Sequence, residues 1–328
     1  DVEVASVIIE PDTGKIRALA GGKDYKKSQF NRVVKSKRQV GSTIKPFLYY
    51  TALENNMTSS STFTSEKTDF VFSNNKTYSP TNYANKYANG DITMAAALAY
   101  SDNIYAVKTH LFLGEDKLVD TMKTVGLKTK LEPIPSLALG SKEINMLDYA
   151  VAYNTLASGG YKGDVYLIDR VEDLQGNVLY KHKQKRELVL NTNSLYILNE
   201  MMSNSYNSKF ISYNSPTALS ISDKLTKKYA IKSGSTNNDY WLIGYNPDIL
   251  MMVWTGNDNN KEVEANYSKI SKTIWADTVE ASLKDKEEGW YTKPQNVDAV
   301  ILDPVSGKYT SYSKGSLFYF LKGTEPVN

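Results

Sequence analysis

The 328-residue sequence predicts an α+β or α/β sandwich whose sheet joins the two ends of the chain. Three observations lead there: strand-like runs around turn residues at the start, a helical pattern from 42 to 158, and strand-like runs again from 228 onward. The first element, VASVIIE-PDTG-KIRALAGG at 5–22, is two branched apolar runs around a turn-forming PDTG, the pattern of a β-hairpin. DRVEDLQGNVLY (169–180) and DAVILDPVSGKYTSY (298–312) share that turn chemistry without a fixed period, so no solenoid is implied. KPFLYYTALENN, TMAAALAYSDNIYAVKTHLFL, EDKLVDTMKTVG and INMLDYAVAYNTLASGG carry apolar residues at spacings of three and four, the last stopping at a Gly-Gly pair. Between the first two of these lies a polar, Asn/Ser/Tyr-rich loop, 63–91, whose length marks a functional rim or a mobile segment. KYAIKSGST, YWLIGYNP and ILMMVWTGND are the returning strands. From about 285 the WYTKPQ stretch reads as a linker, dividing the chain into a main domain, 1–284, and a small C-terminal β extension, 285–328.

Composition narrows the function. With 41% hydrophobic residues and a net charge of +3, the chain can bury a large core and is too balanced to suit a polyanion, so no nucleic-acid partner is expected. Apolar stretches such as DILMMVW fall far short of the ~20 residues of a membrane-spanning helix, and a soluble fragment is expected. Asp1 stands directly before a strand-like run, so the start reads as a cut inside a longer protein. Cysteine is absent and there are two histidines, which leaves no basis for thiol catalysis, disulfides or a zinc centre; neither metal nor cofactor is expected.

Three short stretches carry chemistry. In RQVGSTIKPFLYYTAL (38–53), Pro46 suits a helix only in its first turn, so the helix begins near Ser42 or Thr43. Unpaired N–H groups at that end favour an attacking alkoxide or a developing oxyanion. The spacing sets Lys45 one turn along on the face of Ser42, where burial among apolar or cationic neighbours would lower its pKa and let a neutral amine take the serine proton. Taken alone, the stretch fits an ordinary cap and an exposed lysine better, since such caps are commonplace. Ser311 and Lys314 have the same spacing in a run that reads as strand and turn, so spacing by itself does not decide. Ser101 and Asn103, in SDN between two helical runs, by themselves fit a turn with capping residues, but they can also point the same way, one relaying a proton and one binding a peptide amide. In KSGST, Gly234 admits a second backbone, Ser235 offers a hydroxyl and an N–H, and Lys232 supplies positive charge, an arrangement suited to a carboxylate, though an edge-strand lysine before a Gly/Ser turn fits the stretch equally.

Ser-x-x-Lys at a helix start, Ser-x-Asn between helices and Lys-Ser-Gly on a late strand, in that order, resemble the motif set of penicillin-binding proteins and serine β-lactamases. With FNRVVKSKRQVGSTIKPF, YANGDITMAAALAYSDNIYAV, ALGSKEINMLDYAVAYNTLASGG and KSGSTNNDYWLIGYNP, the chain resembles the transpeptidase domain of class A, bifunctional penicillin-binding proteins along nearly its whole length. The resemblance implies a central antiparallel sheet flanked by helices, plus an all-helical lobe. It implies Ser42 as the acylated nucleophile, Lys45 as its general base, Ser101 and Lys232 passing a proton to the leaving amine, and Asn103 holding the acyl side-chain amide. The oxyanion hole would be the N–H groups of Ser42 and Ser235. The Ser235 hydroxyl would receive the carboxylate of a D-Ala-D-Ala peptide or a β-lactam, with Thr236 as a second contact and Ser233 and Gly234 completing the subsite. The implied activity is cross-linking of peptidoglycan stem peptides at the extracytoplasmic face of the cell membrane, with inhibition by β-lactams and an anchor and glycosyltransferase domain upstream.

Val40, Tyr105, Ser233 and Ser235 depart from the residues commonest in the family, and none removes a functional atom. A Ser-His-Asp hydrolase would need His110, in a helical run, or His182, in the solvated charge run KHKQKR. A carboxypeptidase or β-lactamase would need a base for water, and no spacing singles out Glu115, Glu132 or Glu143. A non-catalytic penicillin-binding sensor is the third alternative.

Overall fold

Strand runs as continuously apolar as YWLIGYN and ILMMVW need cover on both faces. The computed structural model, which describes residues 2–73 and 75–327, supplies it. Strands β1 (Glu3–Ile9), β2 (Ile16–Ala20), β3 (Ala230–Ser235), β4 (Asp239–Asn246) and β5 (Ile249–Gly256) form one sheet in the order β3-β4-β5-β1-β2. Every pairing is antiparallel, and β1 lies beside β5 with Val7 opposite Met252, so the sheet does join the start of the chain to its late strands.

Alternate residues serve different layers. Val7, Trp241, Ile243, Tyr245, Met252 and Trp254 face the main core. That core is built from helices α1 (Lys45–Glu54), α2 (Met94–Tyr100), α3 (Asn103–Leu113), α4 (Glu115–Thr124), α5 (Met146–Ala157) and α6 (Thr192–Ser203). On the other face Ile231, Leu242, Met251 and Val253 meet Trp275, Ala276 and Val279 of α7 (Ser268–Ser282). Gly244 makes room for that helix, since a Cβ there would overlap the Trp275 ring. A one-residue slip of β4 would exchange Trp241, Ile243 and Tyr245 for Leu242 and Gly244, so the register is firmly held.

Several elements differ from the sequence expectation. The stretch 63–91 is not one long loop: Thr62–Ser65 pairs with Gly90–Thr93 and Phe70–Val71 with Thr77–Tyr78. The third hairpin joins β6 (Val297–Leu302) to β7 (Ser316–Leu321), not to 308–312, where Tyr309 makes only an isolated bridge. SLFYFL can bury Phe318 and Phe320, whereas KYTSYSK has nothing comparable to bury. WYTKPQ is docked: the Trp290 indole donates to Glu200 at 2.7 Å and the Tyr291 hydroxyl to the Ala157 carbonyl at 2.7 Å. His182 is not solvated, because it stacks on Tyr166 with ring centres 3.6 Å apart.

Candidate active site

The motif stretches meet along the free edge of β3, and small residues let them. A 3-10 turn, Gly41–Ile44, leads into α1 with Pro46 in the first α-helical turn, a tighter entry than a helix starting at Ser42. Gly41 has φ +56°, and a Cβ on it would stand 3.0 Å from the Ser235 carbonyl oxygen. A Cβ on Gly234 would stand 2.8 Å from the Val40 carbonyl oxygen, and one on Gly140 would overlap Gly41. Gly41 N–H donates to the Gly140 carbonyl at 3.1 Å, and Tyr153 donates to the Thr43 carbonyl, fixing the turn from behind. Thr236 N–H pairs with the Asp239 carbonyl at 2.9 Å. By antiparallel alternation the N–H and C=O of Ser235, one residue back, therefore point away from β4 and across the edge toward Gly41 and Ser42. The N–H of Ser42 lies in the first turn of its helix, where no intrahelical acceptor exists.

Beneath this edge lie two lysines, each 0% exposed. Lys45 Nζ donates to Asn103 Oδ1 at 2.7 Å, the Ser101 carbonyl at 2.8 Å, the Asp102 carbonyl at 3.2 Å and Ser101 Oγ at 3.3 Å. Lys232 Nζ donates to the Ser233 carbonyl at 2.7 Å and to Ser101 Oγ at 3.0 Å. The Ser101 hydroxyl thus bridges the two lysine nitrogens. Burial lowers the Lys45 pKa to about 7 against the opposing pull of Asp102. Burial also lowers Lys232 well below its ordinary value, with repulsion from Lys45 and Lys272 acting in the same direction.

Ser101 reaches this position by adopting left-handed backbone angles, φ +59° and ψ +41°, between α2 and α3. Such a conformation in a non-glycine residue is held only by its surroundings. Asp102 provides them: its carboxylate caps Tyr105 N–H at 2.8 Å and accepts from Asn82 at 2.6 Å, Ser65 and Tyr213. Asn82 Oδ1 in turn accepts from Asn103 N–H at 2.7 Å, and Asn103 Nδ2 donates to the Thr81 carbonyl at 2.7 Å.

Ser42, Ser101, Asn103, Ser233, Gly234 and Ser235 line one cleft of about 530 Å³. Its walls are Thr81–Asn85, Asn214–Thr217 and the start of α7. Lys45 and Lys232 sit under its floor. The one predicted contact not brought to the cleft is Thr236, whose hydroxyl accepts from the N–H groups of Asn238 and Asp239 and donates to Asp239 Oδ2 at 3.0 Å within its own turn. Neither histidine lines the cleft, nor does Glu115, Glu132 or Glu143, and no carboxylate does among the described residues. Chemically the arrangement offers a cleft-lining hydroxyl at a helix entry, two buried amines with lowered pKa sharing a second hydroxyl, and backbone N–H groups converging at a strand edge.

Sequence reasoning missed Asp102, although an Asp directly before a helix is an N-cap signal. It passed over SYN at 212–214, yet Asn214 lines the cleft and Tyr213 reaches Asp102. It also missed Lys272, in a helix read off no motif.

Residues 4–280 match the family model of the penicillin binding protein transpeptidase domain. The chain is 43% identical to penicillin-binding protein 2D of Bacillus subtilis (strain 168), over 100% of this chain and 48% of that protein. It is 32% identical to penicillin-binding protein 1A of Aquifex aeolicus (strain VF5), over 99% of this chain and 44% of that protein. It therefore spans about half the length of these curated relatives. The crystal structure of penicillin-binding protein 1A from Haemophilus influenzae superposes with a TM-score of 0.90 at 25% identity, over 100% of this chain and 54% of that one.

Proposed function

Because the chain belongs to the penicillin-binding-protein transpeptidase family, we propose that it is a serine D,D-transpeptidase acting on peptidoglycan stem peptides that end in D-Ala-D-Ala. Ser42 Oγ attacks the carbonyl of the penultimate D-Ala and gives its proton to Lys45. A neutral Lys45 keeps two N–H donors, enough for its short contacts to Asn103 Oδ1 and the Ser101 carbonyl, and its lone pair is left for that proton. The N–H groups of Ser42 and Ser235 hold the oxyanion. The C–N bond to the last D-Ala breaks, its nitrogen takes a proton through Ser101 from Lys232, and free D-Ala leaves. An amine of a second stem peptide then attacks the Ser42 ester, loses a proton to the same relay, and returns the serine to its hydroxyl form.

The observation that carries this reading is the Ser101 hydroxyl, set between two buried lysines of lowered pKa beside a cleft-lining serine. A pKa of about 7 suits an amine that must both take and give a proton near neutrality. Among the described residues no carboxylate lines the cleft to activate water, which supports transfer to an amine over hydrolysis. A β-lactam would acylate Ser42 by the same first step, and its leaving group would stay attached. Residues 1–284 would form the transpeptidase unit and 285–328 a β extension, in keeping with a family match that ends at 280. No helix among the described residues is long and apolar enough to cross a membrane. Action at the outer face of the cell membrane would then depend on parts of a longer protein.

Fluorescent penicillin followed by mass spectrometry of the adduct tests the proposal. The chain should carry one penicilloyl group on Ser42, and Ser42→Ala should carry none. No adduct on the unaltered chain, or an equal rate of adduct formation in Ser42→Ala, would sink it.

A further inference from the structure

We infer that Lys272 is the cationic partner of the carboxylate that enters this cleft, the C-terminal carboxylate of a donor peptide or the ring carboxylate of a β-lactam. The inference rests on the acyl-transfer reading above. The sequence pattern assigns the positive charge at this subsite to Lys232 and a second hydroxyl to Thr236. Neither is free for that work. Lys232 is 0% exposed and its ammonium is turned to Ser101 and Ser233. Thr236 spends its hydroxyl on its own turn.

Lys272 lies on the second turn of α7 and lines the cleft together with Ser42, Ser233 and Ser235. It is the one charged side chain lining the cleft among the described residues. Its ammonium has no hydrogen-bond or ion-pair partner among them. Burial lowers its pKa, with repulsion from Lys269 adding to the effect, and it pushes Lys232 down in turn. A partly buried cation without a counter-charge is destabilising. A carboxylate placed between Lys272 and the Ser235 hydroxyl would relieve it and offset its repulsion of Lys232. In this arrangement Ser235 orients the carboxylate and Lys272 supplies the charge.

The test compares acylation rates of Ser42 by benzylpenicillin and by its methyl ester, which lacks the charge, in the unaltered chain, Lys272→Met and Lys272→Arg. Methionine keeps the length and packing of the side chain. Lys272→Met should slow benzylpenicillin by about tenfold to a hundredfold, the value of one charge-assisted hydrogen bond. It should change the ester by less than about twofold, while Lys272→Arg keeps most of the benzylpenicillin rate. An unchanged rate with benzylpenicillin in Lys272→Met, or an equal loss with acid and ester, overturns the assignment. Failure of the unaltered chain to form any adduct would overturn the acyl-transfer reading instead, so the two failures are told apart.

Discussion

The chain buries positive charge in two ways. Arg32, 1% exposed, meets Asp258 through Nε at 2.7 Å and also through Nη2, and the hydrogen bond to Asp258 raises its pKa further. Arg38, 7% exposed, meets Asp239 Oδ1 at 2.6 Å with its guanidinium over the Trp254 ring. Lys45 and Lys232 are buried at least as deeply and meet only hydroxyl, amide and carbonyl oxygens. Even Asp102 offers Lys45 its backbone carbonyl, its carboxylate being taken up by Ser65, Asn82, Tyr213 and Tyr105. A carboxylate partner locks a buried cation into its charged form, while neutral acceptors leave burial free to drive the proton off. The first arrangement ties segments distant in sequence together. The second lowers the pKa of both amines, bringing Lys45 to about 7.

Three measurements sharpen that contrast. The largest effect belongs to Lys45→Ala, which should slow acylation of Ser42 by penicillin about a hundredfold to ten-thousandfold, the range for removing a general base. A loss under about fivefold would place Lys45 with the structural cations. Next, Arg38→Met strands a carboxylate that is 3% exposed and should lower unfolding free energy by about 3–5 kcal/mol in denaturant titration. The folded fraction should still form the Ser42 adduct; full stability would show that the arginine pair does no structural work. The smallest effect is in pH. With Lys45 at about 7 and the neutral amine as the reactive form, acylation should rise through about pH 7 and level off above it. A rate that is flat or falling across that range contradicts the assignment. The sign for stability is the same: between about 7 and the unfolded lysine value of ~10.4 the unfolded chain holds the extra proton. Stability owed to this group therefore increases as pH rises through that window and is lost as pH falls to about 7.

The fold was legible where a segment's own pattern decided its fate. PDTG between branched runs made the first hairpin, and Pro46 placed the start of α1 to within a few residues. The central sheet and the layer of helices followed from the order of such segments. What could not be read depends on contacts between segments far apart. The 63–91 stretch read as a long polar loop, a functional rim or a mobile segment; part of it does line the cleft, but its order comes from Ser65 and Asn82 reaching Asp102, 37 and 20 residues away. The last hairpin misled because a Pro-Gly turn at 303–307 resembles a tight connection, while its true partner strand follows a second turn. Within the candidate site, motif order singled out Ser42, Lys45, Ser101, Asn103 and Lys232, and the structure gathers all of them. Thr236 and Lys272 were beyond reach, since a hydroxyl's partner and a helix overhanging a cleft are not properties of a short motif.

The contact of Gly41 with Gly140 and of Gly234 with Val40 also bears on how such a cleft can change over generations. Backbone presses on backbone there, so any side chain gained at those positions would displace the Ser42 turn or the β3 edge. In the walls, Asn82 is tied to Asp102 and Asn103, whereas Tyr83, Ala84, Asn85, Ser215 and Ala265 are exposed and carry no such constraint. Substitutions that alter what the cleft admits without disturbing the Ser42 turn are therefore expected at these exposed rim positions rather than on the floor.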